Sequence, residues 1–439
     1  MTEKNIAPRA AVMTLGCRVN QYESEAVCER LAELGFEICD FSEKCDVYII
    51  NTCAVTAESE RKSRQMVRRA ASQNKDAAVI VMGCSSQLHG DKISKIGGVY
   101  YVCGNRNKLS AADFALSLCR GDRSKAANVL DVEEAPLEKM SIKRSDRTRA
   151  YVKIEDGCDN NCAYCIIKKA RGNVVSRLCD DICAEVEVLA DAGYREVVLT
   201  GIETASFGKD TGEKLSDLIS RVAKNEKIER IRLGSLEPSV LTRGFIDALA
   251  SEKKFMPSFH LSLQSGSSRV LALMKRKYNA DMVLSSVSYI KEKIPDATFT
   301  CDIIVGFPQE TEDDFIQTCN VAKAIRFLHM HIFPFSPREG TAAAQMSGQI
   351  SEEEKHSRLV RLEKIGDEIS DAIYKNAVSG GARDVLFETP EGEYQVGHTP
   401  EMMEIRVKCG ENLAGRILRV IPEKYVGGKP YGKLERNDV

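Results

Sequence analysis

Three cysteines in one short run, Gly157-Cys-Asp-Asn-Asn-Cys-Ala-Tyr-Cys-Ile-Ile167, leave few options for how this chain is built. A cubane iron–sulfur cluster takes four thiolates, one for each iron. Cys158, Cys162 and Cys165 supply three, so one iron keeps an open position. That position can accept the amino and carboxylate groups of S-adenosylmethionine, whose sulfonium an electron from the cluster can then split. Structural zinc is the plainer reading of clustered cysteines, but zinc closes its shell with four ligands, usually as two pairs. The next cysteine, Cys179, stands fourteen residues on and inside a helical pattern. The loop therefore reads as a catalytic cluster site, with Tyr164 beside it as a cofactor contact.

Sixteen cysteines in 439 residues, with no apolar core in residues 1–9 to mark a secretion signal, argue for metal or redox chemistry in a reducing compartment. No apolar run approaches the ~18 residues of a membrane span. The expected location is the cytoplasm, with no membrane partner. A net charge of −2 gives no global attraction to nucleic acid, so an RNA partner must be met by local patches. At about 150 residues per domain the length suggests roughly three domains.

The first hundred residues alternate short apolar strands, at 11–16, 46–51, 77–83 and 99–102, with helical patterns at 20–34 and 57–72. Such alternation predicts a parallel sheet covered on both faces, with its ligand site outside the carboxyl ends of the strands. Cys17 directly follows the first strand, Cys53 is two residues past the second, and Cys84 directly follows the third. Far apart in sequence, they are expected at one sheet edge, where three thiolates can hold a second cluster, again with one iron unligated. The alternative is that they are small buried hydrophobes, as free cysteines often are. Cys103 also ends a strand and is the one rival ligand.

Residues 121–149 are polar and irregular and read as a linker. From 150 a second α/β series begins, with strands near 150–155, 196–201, 230–235, 259–264, 299–306 and 330–335 and helical patterns between them. Six βα units fit a partial, TIM-like (βα)6 barrel, open at one side, with the cysteine loop at its C-terminal mouth. A charged, helix-like segment runs from 355 to 374. Residues 375–439 show short strand patterns punctuated by Gly, Pro and Asn, which predicts a small antiparallel β-barrel of about five strands. The expected organisation is thus α/β, divided into 1–120, a 121–149 linker, 150–374 and 375–439.

Several barrel-strand exits carry groups a cofactor can use. Glu203, after the second strand, can hold the methionine amino group. Gln264 and Ser265, after the fourth, offer hydrogen bonds to a ribose, and Gly306, after the fifth, allows close approach of adenine. Gly and Ser also simply make turns. Basic residues gather at 57–75, at Lys168, Lys169 and Arg171, and at Lys275, Arg276 and Lys277. They are solvated faces or phosphate contacts around the mouth, with Arg68, Arg69, Lys275 and Arg276 as the RNA-facing candidates.

Together with the Cys158 loop, several strings resemble the methylthiotransferases of the radical S-adenosylmethionine superfamily over essentially the whole length. They are Thr14-Leu-Gly-Cys17-Arg-Val-Asn-Gln-Tyr-Glu-Ser-Glu25, Asn51-Thr-Cys53, Gly83-Cys84, His260-Leu-Ser-Leu-Gln-Ser-Gly266, Val305-Gly-Phe-Pro308 and Phe333-Pro-Phe-Ser336. The resemblance implies S-adenosylmethionine as cofactor and two 4Fe-4S clusters, one on the Cys158 loop and an auxiliary one on Cys17, Cys53 and Cys84. It implies that a methyl group from one S-adenosylmethionine is put on sulfur held at the auxiliary cluster. A second molecule, cleaved at the other cluster, gives a 5′-deoxyadenosyl radical that takes hydrogen from C2 of an adenine, and the carbon radical captures the methylthio group.

The terminal barrel resembles the TRAM domain, which implies contact with tRNA. The chemistry implies an electron donor such as flavodoxin or ferredoxin, and a sulfur donor of unspecified identity. Within the family, the Cys17–Glu25 string is similar to the branch acting on N6-threonylcarbamoyladenosine beside the anticodon. The alternatives are the isopentenyladenosine tRNA branch, the ribosomal-protein aspartate branch and, from another class, a non-catalytic iron–sulfur RNA-binding protein. The chain departs from the usual pattern at Ser85-Ser86, where Tyr-Ala is common after Cys84, and at Lys168, where a proline usually follows the two isoleucines.

Overall fold

The computed structural model describes residues 7–435. Most of the segment read for a secretion signal (residues 1–6) and the last four residues of the terminal unit (436–439) lie outside the described residues. Strands Arg9–Thr14, Glu37–Ile38, Val47–Thr52, Ala78–Gly83, Val99–Cys103 and Ala126–Asn128 form one sheet, parallel throughout. The first strand lies between the second and the third, and the remaining three follow outward in chain order. Val47–Thr52 and Ala78–Gly83 are buried at every position, as apolar runs covered on both faces must be. Alternate residues serve alternate faces. Ile49 and Ile80 pack with Val27 and Leu31 of helix Arg18–Glu33, while Ile50 and Val79 pack with Val67 and Ala70 of helix Ala57–Gln73.

Residues 121–149 do more than connect. Ala126–Asn128 adds the sixth strand beside Val99–Cys103, and Met140 and Ile142 are buried in the core of the next unit. That unit sets strands Ala150–Lys153, Glu196–Thr200, Arg230–Leu233, Ser258–Gln264, Thr298–Val305 and His329–Pro334 in parallel, in spatial order matching chain order. The third strand pairs with the second, resumes after Gly234 as Ser235–Leu236, and there pairs with the fourth. The wall turns at that glycine, giving a partial barrel of two sheet segments. The first unit lies across its open side: helix Arg18–Glu33 packs on the first barrel strand, and Ala57 N donates to Ser336 Oγ, past the sixth strand, at 3.3 Å. Among the described residues no helix is long and apolar enough to cross a membrane.

Helix Glu352–Val378, capped by Ser351, runs from the sixth barrel strand to the terminal unit, where Tyr374 stacks on Tyr425 with ring centroids 5.6 Å apart. Strands Arg383–Glu391, Tyr394–His398, Glu404–Lys408, Ile417–Val426 and Lys429–Leu434 close a barrel in the order one-two-three-five-four. Here the purely antiparallel expectation is corrected, because strands three and five pair in parallel through Arg406–Tyr431 and Val407–Gly432. The reason is parity: strands that alternate direction around a closed ring must be even in number. This barrel docks on strand beginnings of the larger one. Arg230 donates to the carbonyls of His398 and Asp384 at 3.2 and 2.9 Å, and Thr298 donates to the Glu401 carbonyl at 2.5 Å. It therefore sits at the end opposite the cysteine loop.

Candidate cluster sites and the buried network between them

The Cys158 loop leaves the first barrel strand through a short antiparallel pair, Glu155–Asp156 with Val175–Ser176. Gly157 turns the chain with φ +84°, and a Cβ there would meet the Asn173 carbonyl oxygen at 2.0 Å, so only glycine fits. The three sulfurs each accept a hydrogen bond: Cys158 from Asn160 N at 3.4 Å, Cys165 from Ile167 N at 3.4 Å, and Cys162 from Arg276 Nη1 at 3.2 Å. Burial pushes the Cys158 thiol up to about 12, with Cys165 and Cys162 close enough to add repulsion. A metal must displace that proton on binding. Tyr164 is half-buried against an apolar cluster containing Phe307, Phe335 and Met274.

Cys17, Cys53 and Cys84 come together because the strands before them end in register, Thr14 beside Asn51 and Thr52 beside Gly83. Gly16, at φ +101°, lets Cys53 close on the first exit; a Cβ there would lie 2.8 Å from the Cys53 sulfur. Burial raises the Cys53 thiol, with Cys84 as the next cause, so the sulfurs feel one another. Asn20 ties the exits by donating to the carbonyls of Leu15 and Thr52 at 2.8 and 3.0 Å. Cys103 instead packs in the sheet core with Tyr101, Met82 and Ala111.

One side chain links the second triad to the segment that follows the first. Arg171 ends the helix Ile167–Arg171 that follows the Cys158 loop, and it is completely buried. Its Nε donates to Cys84 Sγ at 3.3 Å, while Nη1 reaches Glu23 at 2.7 Å and Asp156 at 3.1 Å and Nη2 reaches Asn20 at 2.5 Å. Lys108 and Lys153 bind Glu23, Lys153 also binds Asp156, and Arg106 lies 3.9 Å from Asp156. Four buried cations therefore face two carboxylates, an arrangement that suits an anionic thiolate cluster beside Arg171. Among the described residues no three His, Cys, Asp or Glu side chains are gathered as a single ion needs, and a cluster of several irons spreads its thiolates more widely than one ion does.

At the barrel mouth Glu203 is buried, its Oε1 has no hydrogen-bond partner, and neither does Oε2 of Glu155, whose other oxygen accepts from Glu203 N at 2.7 Å. Burial, helped by Glu237, pushes Glu203 up to about 7. Unpaired buried carboxylate oxygens fit an ammonium-bearing ligand. Gln264 holds φ +65° at a break in the pairing between the fourth and fifth strands. The buried Ser265 hydroxyl lies 3.3 Å from Thr318 Oγ1 and accepts from Ser267 N at 3.1 Å, holding the turn after the fourth strand. Gly306, at φ +71°, admits Lys355, whose Cγ would lie 2.3 Å from an added Cβ.

Residues 9–104 match the family described as Uncharacterized protein family UPF0004, and residues 152–322 match the Radical SAM superfamily. Threonylcarbamoyladenosine tRNA methylthiotransferase MtaB of Bacillus subtilis is 38% identical over 434 residues, which cover 96% of this chain and 95% of that protein. The chain belongs to the radical S-adenosylmethionine methylthiotransferases. A second relative in this family, tRNA-2-methylthio-N(6)-dimethylallyladenosine synthase of Thermodesulfovibrio yellowstonii, is 36% identical over 93% of this chain and 94% of its own. Among solved structures, the radical S-adenosylmethionine methyltransferase TsrM from Kitasatospora setae, with cobalamin and a 4Fe-4S cluster bound, aligns with a TM-score of 0.56 at 14% identity over 77% of each chain. That likeness shows the fold alone.

In this methylthiotransferase two arginines of the basic runs, Arg171 and the RNA-contact candidate Arg276, belong to the interior. Arg171 holds the network between the triads, and Arg276 binds Cys162 and lies 3.8 Å from Glu237. A sequence signal existed for each, since both stand within fifteen residues of a cysteine motif or a barrel-strand exit. Charge runs alone, however, do not tell a buried cation from a solvated one.

Proposed function

We propose that this methylthiotransferase attaches a methylthio group to C2 of N6-threonylcarbamoyladenosine beside the anticodon of tRNA. The observation that carries the two-site reading is Arg171, one buried side chain that touches Cys84 and belongs to the helix following the Cys158 loop. Cys158, Cys162 and Cys165 would hold one 4Fe-4S cluster, and Cys17, Cys53 and Cys84 would hold a second. Bound there, the clusters supply electron transfer to S-adenosylmethionine and a site for the sulfur to be transferred. The chain does the rest. Glu203 takes the cofactor ammonium, Arg276 and Arg171 stabilise thiolates at the two sites, and the first unit closes the open barrel side against water. The closed terminal barrel is TRAM-like, and an RNA that touches it and the cysteine loop must run the height of the barrel wall. A flavodoxin or ferredoxin in the cytoplasm supplies the electrons.

Glu203→Gln is expected to weaken S-adenosylmethionine binding about tenfold, the loss of one charge-assisted hydrogen bond. Equilibrium dialysis on the reconstituted protein measures it. Because Glu203 titrates at about 7 and only its carboxylate pairs with an ammonium, native affinity should rise as pH climbs through that value. The variant should be flat there; equal binding by both proteins removes Glu203 from the site.

The branch assignment is supported by the relatives named threonylcarbamoyladenosine tRNA methylthiotransferase at 38, 34 and 36% identity, and by the Cys17–Glu25 string. The dimethylallyladenosine relative at 36% identity keeps that acceptor as the second reading. Nucleoside analysis of tRNA from cells lacking the gene should show loss of the 2-methylthio derivative of threonylcarbamoyladenosine. Loss of the isopentenyl derivative instead, or of a modified ribosomal aspartate, overturns the branch and leaves the chemistry standing.

A further inference from the structure

A cleft of about 960 Å³ opens between helix Cys84–Ile93, helix Ala57–Gln73 and residues 337–339. Ser85 and Ile166 line it, each next in sequence to a cysteine of a different triad, and Ile166 itself packs with Cys84. In its wall two guanidiniums and an imidazole converge on a single carboxylate. Glu60 receives Arg338 at 2.5 Å, Arg64 at 2.7 Å and His89 at 3.5 Å. Arg338 is 7% exposed and its Nε has no partner. Lys169, also on the cleft, gives its ammonium only to the Gly340 carbonyl, at 2.7 Å. Asp91 and Glu339 line the cleft too and are exposed. One half-buried carboxylate among this much positive charge leaves room for a second. A buried guanidinium N–H left unpaired is costly, and an apolar ligand does not relieve it.

Resting on the acceptor proposed above, we infer that Arg338 and Lys169 form a subsite for the carboxylate of the threonylcarbamoyl group. C2 and the N6 substituent belong to one base, so an adenine placed between the triads carries its substituent into a cavity that borders both. A threonyl carboxylate there pairs with the free face of Arg338 and with the Lys169 ammonium. An isopentenyl group fills the same space but offers no acceptor to the unpartnered Arg338 Nε or to the Lys169 ammonium, so the subsite selects between branches by charge.

The test offers the reconstituted enzyme anticodon stem-loop RNA in two forms, one carrying threonylcarbamoyladenosine and one carrying its neutral threoninamide analogue. The native enzyme should prefer the acid by about ten- to a hundredfold in kcat/KM. In Arg338→Met and in Lys169→Met that preference should collapse toward one. A merely structural role lowers turnover on both RNAs together and keeps the ratio, which would overturn the subsite. Arg338 also joins two units through Glu60, whereas Lys169 does not, so the second variant decides the matter if the first fails to fold. A native enzyme idle on both forms but active on the isopentenyl stem-loop overturns the branch assignment, and the subsite falls with it. Activity on the acid with an unchanged ratio in both variants removes the subsite alone.

Discussion

Alanine at Cys158, Cys162 and Cys165 together should abolish reductive cleavage of S-adenosylmethionine and halve the iron of the anaerobically reconstituted protein, from roughly eight atoms to about four for two cubanes. The loop should survive the change because its backbone is held independently of the sulfurs. Ala163 N donates to the Met274 carbonyl at 3.0 Å, and Ala343 N donates to the Ala163 carbonyl at 2.8 Å. What disappears is the donor set. With the Cys158 thiol pushed up to about 12, iron has to expel a proton that burial holds in place, so reconstitution of the native protein should also fail progressively as pH is lowered. The Arg276 guanidinium, 3.2 Å from Cys162, favours the thiolate and should partly offset that cost. Formation of 5′-deoxyadenosine is the readout. A triple variant that still forms it at the native rate places the radical site elsewhere.

The parts of this molecule that sequence made legible are those written in apolar periodicity. Within 46–51 the apolar run Val47-Tyr-Ile-Ile50 stands between Asp46 and Asn51, and Val47–Thr52 is the buried strand. The six barrel strands fall within two residues of their patterns, because each carries apolar side chains into the packed core, at alternate positions in Thr298–Val305. Once the strand exits are known, register does the rest, and Cys17, Cys53 and Cys84 converge without any local signal linking them. What sequence did not disclose is held by polar contacts. The pair Glu155–Asp156 with Val175–Ser176 has no apolar alternation, and its Asp156 answers Lys153 and Arg171 across space. Arg171 looked like one member of a basic run, yet burial beside Glu23 and Asp156 gives it a different task from Lys168 and Lys169. Ser265 and Gly306 sit at the right exits, but whether a serine faces a cofactor or its own turn depends on a helix fifty residues on, where Thr318 receives it.

Replacing Cys17, Cys53 and Cys84 by alanine should give the complementary result: S-adenosylmethionine is still cleaved, methylthio transfer falls below detection, and about half the iron remains. The separation follows from geometry, since these thiols stand at the exits of a different sheet and meet the other triad's loop through Arg171 and Ile166, not through its sulfurs. Cys103→Ala is the control. Its sulfur packs among Tyr101, Met82 and Ala111, so the change should cost about 1 kcal/mol of stability and no iron. Arg171→Met tests the bridge more severely. It removes the donor 3.3 Å from Cys84 and strips a cation from Glu23 and Asp156, a buried loss worth about 3–5 kcal/mol. If Arg171 serves the Cys84 site, iron retained by this variant should sit at the Cys158 loop, and the cleavage of S-adenosylmethionine should outlast methylthio transfer as temperature is raised. Loss of both activities in parallel would make Arg171 a purely structural pillar. Iron falling by half in Cys103→Ala while Cys84→Ala keeps its full content would reverse the choice of ligands, and the strand-exit argument would have picked the wrong edge of the sheet.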